Sequence, residues 1–244
     1  MSSPSAPGPS LSVVIPVCNE ADNVLPLGLE IQAALEPRNY EIIFVDDGST
    51  DGSGAKVLEL RRQVPRVRLL RHSRRSGQSI ALCTGVRASR APWVATLDGD
   101  GQNDPADIPA LIAAMEQGAD LKLIMGHRKS RQDTWVRRMS SRVANGVRVR
   151  LLHDDTPDTG CGIKLFHRDT FLELPMFNHM HRFLPALFQR AGARVISVPV
   201  RHRPRTRGQS KYGISNRLWV GIVDLFGVRW LIRRAPPLIA RTEE

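Results

Sequence analysis

The sequence predicts an α/β domain built on a mostly parallel sheet covered by helices on both faces. Short apolar, β-rich runs begin at residues 11, 40, 67, 93 and 121, and each of the first four is followed by a stretch of helical periodicity. Strand–helix alternation at this spacing is the pattern of parallel strands joined by crossover helices. With 244 residues and 41% hydrophobic side chains, the chain can bury a substantial core as one large domain or two small ones.

Taken in order, Leu11–Val17 reads as a buried strand, and Asn23–Glu36 as a helix with Pro26 tolerated in its first turn. Tyr40–Asp46 is a second strand, and Ser53–Gln63 a helix with Ser53 as its cap. Val67–Arg71 and Gly77–Ala88 form the next strand and helix. Trp93–Asp98 is the fourth strand, Pro105–Glu116 a helix opened by proline, and Leu121–Gly126 the fifth strand. The second half is less regular. Arg137–Leu152 reads as a helix, Cys161–Phe166 as strand or loop, Met180–Ala191 as a helix and Val195–Val200 as a last strand. Arg201–Tyr212 is a basic loop and Ile214–Arg234 an amphipathic helix. Residues 1–10 are rich in Pro and Ser, lack the basic start and apolar core of a signal peptide, and read as a disordered tail.

Charge is unevenly divided. Residues 1–122 carry 12 basic and 15 acidic side chains, whereas residues 123–244 carry 23 and 9. The second half therefore calls for an anionic partner: nucleic acid, an anionic membrane or a phosphorylated substrate. Three cysteines without metal-type spacing (Cys18, Cys83 and Cys161) read as reduced and intracellular.

The chemistry centres on Thr96-Leu97-Asp98-Gly99-Asp100-Gly101-Gln102-Asn103. Two carboxylates two residues apart after an apolar run suit a hard divalent cation, which takes one or two carboxylates plus substrate phosphates. An Asp-Gly turn ending a strand is the plain alternative. An EF-hand loop is excluded, because its sixth and twelfth positions hold Asn103 and Pro109. Asp46, in Val45-Asp46-Asp47-Gly48-Ser49-Thr50-Asp51, also ends a strand, so acidic groups from two strands share the carboxyl-end rim where parallel sheets bind ligands. No dinucleotide fingerprint and no Walker A string is present.

The strings VVIPVCNEADNV, VDDGSTDGS, RRSGQSIAL and LDGDGQNDP, in this order, resemble the nucleotide-sugar half of family 2 glycosyltransferases. Asp158-Thr159-Gly160-Cys161-Gly162-Ile163-Lys164 and the segment from Arg205 to Tyr212 resemble dolichyl-phosphate mannose synthases and bacterial polyprenyl-phosphate relatives. The resemblance covers residues 11–234 and implies a single GT-A (Rossmann-like) domain. It divides the chain into a nucleotide-sugar-binding half at 11–126, an acceptor half with the basic loop at 127–213 and the amphipathic helix at 214–234. By resemblance, Pro16, Asn19, Glu20 and Asp46 line the nucleotide pocket. Asp98, Asp100 and Gln102 hold the diphosphate through Mg²⁺ or Mn²⁺, and Arg128, Arg137 and Ser141 receive a lipid phosphate. Arg205 and Lys211 reach diphosphate or acceptor phosphate. Asp158 is left open between orienting an arginine such as Arg137, contacting the sugar, and acting as a base.

The implied reaction is metal-dependent, inverting transfer of one sugar from a nucleotide sugar to polyprenyl phosphate. A phosphate with a second pKa of roughly 6 is already anionic and needs positioning by Arg more than deprotonation. His181-Arg182 stand where hydroxyl-using members carry an acidic pair, which favours a phosphate acceptor. A hydroxyl acceptor is the nearer rival. A nucleic-acid-binding protein is the remote one, since Arg201–Lys211 lacks the aromatics that stack bases. Val17 and Gln78 depart from the Tyr and Lys of many relatives, which leaves base and sugar unassigned.

Many relatives carry carboxy-terminal membrane spans, and none is expected here: the apolar stretch Leu218–Ile232 is about 22 Å long as a helix against a hydrocarbon core of about 30 Å. Trp219, Ile222, Val223, Phe226 and Trp230 share one face near Arg229, Arg233 and Arg234. That face suits either an anionic membrane interface or the protein's own core. The expected location is peripheral, on the cytoplasmic face of the membrane or in the cytoplasm, with a membrane-protein partner or self-association left open.

Overall fold

The computed structural model describes residues 8–128, 146, 148–152, 154, 156–204 and 215–234, with backbone alone for 215–219. The strands are β1 (Leu11–Val17), β2 (Tyr40–Asp46), β3 (Val67–Arg71), β4 (Trp93–Thr96), β5 (Leu121–Arg128), β6 (Lys164–His167) and β7 (Arg194–Val200). The helices are α1 (Ala21–Leu35), α2 (Ser53–Gln63), α3 (Gln78–Ala88), α4 (Ile108–Met115), α5 (Arg168–Leu172), α6 (Leu184–Arg190) and α7 (Ser215–Arg233). They form one sheet in the order β3-β2-β1-β4-β6-β5-β7. Only β6 runs antiparallel, hydrogen-bonded between β4 and β5. A strand from the second half of the chain is thus inserted into the sheet of the first.

The register explains where a site can form. Val17 lies beside Asp46, Thr96 beside Lys164, Met125 beside Lys164, and Arg128 beside Val200. The carboxyl ends of β1, β2, β4, β5 and β7 therefore share one rim with the amino end of β6. Two apolar layers hold the sheet. One packs Val13, Ile15, Ile42 and Phe44 against α1, α2 and α4, and the other packs Val14, Ile43, Val45 and Phe166 against α3, α5, α6 and α7. Strand residues of alternating parity feed opposite layers, as a sheet buried on both faces requires.

Several local expectations are corrected. The first helix starts at Ala21, so Pro26 lies inside it rather than in its first turn. The residue capping the second helix is Gly52, in the left-handed region; the carboxylate that accepts from Ser53 N, at 2.9 Å, belongs to Asp51. The fourth strand ends at Thr96, leaving Asp98 and Asp100 in the loop beyond it. The stretch expected as one helix from Met180 is a 3₁₀ turn at Met180–Arg182 followed by α6, because Pro185 sits in the first turn of α6 and restarts the helix there. The five-residue α5, capped by the His167 side chain accepting from Thr170 N, was not anticipated.

The last helix packs on the protein's own core along one side and is exposed along the other. Val228 of α7 is buried, Leu225 and Ile232 pack on the core, and Asp224 meets His179 at 3.0 Å. Val223, Phe226 and Trp230 face outward, 66%, 58% and 60% exposed. Ile222 is half-buried, and the Trp219 side chain is outside the described residues. No described helix is long and apolar enough to cross a membrane.

Candidate functional site

The loops after β1 and β2 are tied to each other. Asn19, at φ 53°, accepts from Thr50 N at 2.7 Å, while its own N–H donates to Ser49 Oγ at 2.9 Å. Glu20 N donates to Ser53 Oγ, and Asp51 accepts from Ala21 N. Asp46 is nearly buried and accepts from Ser49 N at 2.9 Å, with Arg71 3.7 Å away. Asp47, which sequence reasoning passed over, accepts from Ser76 N and Gly77 N, both at 2.8 Å, and contacts His72. That buried carboxylate fixes the loop leading into α3, whose first residue, Gln78, faces the metal motif.

The motif loop is pressed into place from two sides. A Cβ on Gly99 would come within 2.7 Å of Val17 Cγ1 and 3.0 Å of the Pro16 carbonyl, so only glycine lets this loop lie against the end of β1. A Cβ on Gly162 would fall 2.2 Å from Asp98 Oδ2 and 2.4 Å from Asn103 Oδ1. Gln78 Nε2 donates to Asp98 Oδ1 at 2.8 Å, Asn103 Oδ1 accepts from Asp98 N at 3.2 Å, and Asp100 accepts from Gln102 N at 3.1 Å. Burial pushes the Asp98 carboxyl above its ordinary range; Lys164 opposes the rise and Asp100 adds to it. Asp98 and Asp100 offer hard oxygen ligands at one place. No group of three or more His, Cys, Asp or Glu side chains suited to a metal exists among the described residues. Two carboxylates with the remaining positions open to phosphate oxygens and water is the donor set that Mg²⁺ and Mn²⁺ accept, so the residues fit such an ion.

Beside this acidic loop stands a different arrangement. Arg128, at the end of β5, donates from Nε and Nη2 to both oxygens of Asp158, at 2.7 and 2.8 Å. The pair is almost wholly buried, with side chains 11% and 7% exposed. Asp158 thus orients Arg128. Arg148 braces the same loop by donating to Thr159 Oγ1 and the Thr156 carbonyl, with Asp154 at 3.4 Å. Lys164 is buried, donates to the Cys161 carbonyl, and has its pKa lowered by burial despite Asp98 nearby. Arg148 carries no sequence motif that would have singled it out, and Lys164 stands in the 158–164 motif without a role assigned to it.

On the remaining side, His181 Nδ1 meets Ser79 Oγ at 2.7 Å. Burial first, then the charges of Lys164 and Arg182, push the imidazole down to about 3, so it is neutral at physiological pH. Arg137, Ser141, Arg205 and Lys211, together with most of the helix expected from Arg137 and the loop at 205–212, lie outside the described residues. The remaining sequence-identified residues, namely Pro16, Asn19, Glu20, Asp46, Asp98, Asp100, Gln102, Arg128 and Asp158, lie on or beside the one rim.

Known proteins share this sequence and architecture. The model of Glycosyl transferase family 2 matches residues 12–174. Dodecaprenyl-phosphate galacturonate synthase of Rhizobium johnstonii is 36% identical over 232 residues, covering 91% of this chain and 67% of its own length. Undecaprenyl-phosphate 4-deoxy-4-formamido-L-arabinose transferase of Edwardsiella ictaluri is 37% identical over 208 residues, covering 84% of this chain and 63% of its own. The chain thus spans roughly two thirds of the length of these relatives. Among solved structures, glucosyl-3-phosphoglycerate synthase from Mycobacterium tuberculosis in complex with Mn²⁺, UDP and glucosyl-3-phosphoglycerate superposes with a TM-score of 0.70 at 19% identity, over 94% of this chain and 82% of that one. At that identity the likeness establishes the fold.

Proposed function

The chain belongs to glycosyl transferase family 2, and from that premise we propose that it transfers one sugar from a nucleotide-sugar donor to a polyprenyl phosphate. The observation that carries this reading is the buried Arg128–Asp158 pair on the same rim as Asp98 and Asp100. An acidic loop fit for a cation and a desolvated guanidinium stand side by side, as transfer between two phosphorylated substrates requires. Two relatives above one third identical are named for dodecaprenyl and undecaprenyl phosphate.

In this mechanism Asp98 and Asp100, with Gln102, would hold Mg²⁺ or Mn²⁺, which would supply positive charge to offset that developing on the departing diphosphate. Gln78 keeps Asp98 in place, and Gly99 holds the loop against Pro16, so the nucleotide lies between the β1 and β2 loops near Asn19, Glu20 and Asp46. Arg128 receives the acceptor phosphate in the bidentate geometry it now offers Asp158. The acceptor, already an anion, attacks without a general base; Arg137, Ser141, Arg205 and Lys211 complete the phosphate contacts. His181, neutral and held by Ser79, has too low a pKa to serve as base for a hydroxyl. The outward face of α7, with Val223, Phe226 and Trp230 beside Arg229, Arg233 and Arg234, rests on an anionic membrane surface where the lipid acceptor resides. A nucleotide-sugar donor supports the cytoplasmic side for that surface.

The test presents undecaprenyl phosphate in anionic vesicles with a panel of nucleotide sugars and Mn²⁺ or Mg²⁺. The expected product is a vesicle-bound glycolipid whose sugar is released by mild acid, as a glycosyl phosphate is. Asp100→Ala should lower its formation on the order of 10²–10³-fold. No glycolipid with any donor, or a sugar attached through an acid-stable hydroxyl linkage, would reject the phosphate acceptor.

A further inference from the structure

The loop carrying the two proposed metal-site carboxylates is fastened by a cluster of ionic contacts with the segment after β7. Asp104, 7% exposed at its side chain, accepts from Arg203 Nη2 at 2.7 Å and lies 3.2 Å from Arg201 Nη1. Its Oδ1 also accepts from Ala106 N at 3.0 Å, which starts the 3₁₀ turn at Pro105–Asp107. Asp107 takes Arg201 N at 2.7 Å and Arg201 Nε at 3.0 Å. Between these ion pairs the backbones join: Arg203 N donates to the Gln102 carbonyl at 2.9 Å, and Asn103 and His202 form an antiparallel bridge. Asn103 in turn accepts from Asp98 N, and Gln102 N donates to Asp100. One hydrogen-bonded chain therefore runs from the segment after β7, through residues 102–104, to the Asp100 carboxylate and to the backbone N–H of Asp98.

We propose that Asp104 is a positioning residue for the divalent cation: by gripping Arg201 and Arg203 it sets residues 98–103 in the conformation in which Asp98 and Asp100 converge. The inference rests on reading those two carboxylates as the metal ligands. Its physical basis is preorganisation. A loop containing Gly99 and Gly101 has many conformations open to it, and binding a cation would otherwise have to order it. Asp104 and Asp107 supply two buried acceptors to two arginines arriving from one neighbouring segment. Cutting either side loosens the same unit.

The experiment measures Mn²⁺ binding to the full chain by EPR, alongside amide hydrogen exchange of the metal-free protein. Asp104→Asn keeps an oxygen for Ala106 N but loses the charge that holds both arginines. Its Mn²⁺ affinity should fall about 10-fold, the low end of what outer partners of a metal site contribute, and exchange at Asp98, Gln102 and Arg203 should quicken. Arg201→Ala, which also removes the guanidinium from Asp107, should lower the affinity too, and the double variant should lose less than the product of the two single losses, since the Asp104–Arg201 pair is common to both. Glu30→Gln, which cuts only the 2.7 Å pair on the far side of Arg203, should leave Mn²⁺ affinity unchanged. Wild-type affinity and exchange in Asp104→Asn would overturn the inference, as would an equal loss in Glu30→Gln, which would mark a general stability effect. Failure of the wild-type protein to bind Mn²⁺ would overturn the metal reading and the inference with it.

Discussion

Carboxylates on the two sides of the rim are held by different kinds of partner. On the side built from β1, β2 and the loop after β4, Asp46, Asp47, Asp51 and Asp100 accept mainly from backbone N–H groups, at Ser49, Ser76 and Gly77, Ala21 and Ser53, and Gln102. On the side built from β5 and the loop before β6, Asp158 and Asp154 face guanidinium groups, Arg128 and Arg148. Amide donors stabilise a carboxylate while leaving its negative charge in place, so Asp51 and Asp100 keep theirs, whereas Asp46 lies beside Arg71 and, further along the loop after β4, Asp104 and Asp107 are paired with Arg201 and Arg203. A guanidinium cancels the charge, so the second side is close to neutral at rest. In the proposed reaction it would present a cation to an incoming phosphate only as that phosphate took over the hydrogen bonds of Asp158. Under the proposed function, the comparison teaches that the donor side would concentrate charge and the acceptor side would exchange one anion for another.

The strongest way to break that contrast is to remove a cation from the neutral side. Arg128→Gln takes the guanidinium away from both oxygens of the Asp158 carboxylate, which is 7% exposed. Loss of one partner of a buried pair typically costs about 3–5 kcal/mol, and urea unfolding should register a loss of that order. The double variant Arg128→Met/Asp158→Leu should recover most of the stability while transfer stays absent. If the single variant unfolds at the wild-type midpoint, the pair is not a buried neutral unit and the contrast fails. A next, smaller effect is expected on the charged side from Gly162→Ala. The new methyl group would meet Asp98 Oδ2 at 2.2 Å and Asn103 Oδ1 at 2.4 Å, and overpacking of this kind costs about 1–3 kcal/mol. Because the displaced atoms belong to the metal loop, Mn²⁺ affinity should fall further than the melting temperature indicates. A variant with normal Mn²⁺ binding would show that Asp98 is free to turn away from Gly162.

The same contrast separates what could be read in the sequence from what could not. The donor side was legible because each of its motifs is a contiguous turn following a strand. The partners of Asp46 and Asp100 lie three and two residues along the chain, and Asn19 and Thr50 follow neighbouring strands. The acceptor side depends on pairings between charged residues far apart in the chain. With 35 basic and 24 acidic side chains available, periodicity gives no means of choosing Arg128 for Asp158, or Arg201 and Arg203 for Asp104. Glycines 99 and 162 were visible as letters in motifs, but the close approaches that require them, to Val17 and to Asp98, exist only once the sheet has formed. Helix interruption at Pro185 and the short α5 were missed for a local reason. Few residues decide each of them, and an apolar run outweighs them in a pattern.

His181 stands between the two sides and allows a weaker test of how far the neutral side extends. Ser79 Oγ accepts from the His181 backbone N–H at 3.4 Å, so its own hydrogen is free to donate to Nδ1 at 2.7 Å. The folded-state pKa of about 3 lies below the ordinary value of 6.5. Between those two pH values the unfolded chain binds the proton and the folded chain does not. Stability from this group is therefore complete above pH 6.5 and declines as pH falls toward 3. The limiting slope is about 1.4 kcal/mol per pH unit, and the half-buried ring should reach only part of it. His181→Gln preserves an acceptor for Ser79 and removes the titration, so its stability should fall less steeply than that of the wild type across this window. Parallel stability curves for the two proteins would mean that His181 takes up its proton in the folded state without cost, and that the neutral environment around Arg128 and Lys164 ends short of α3.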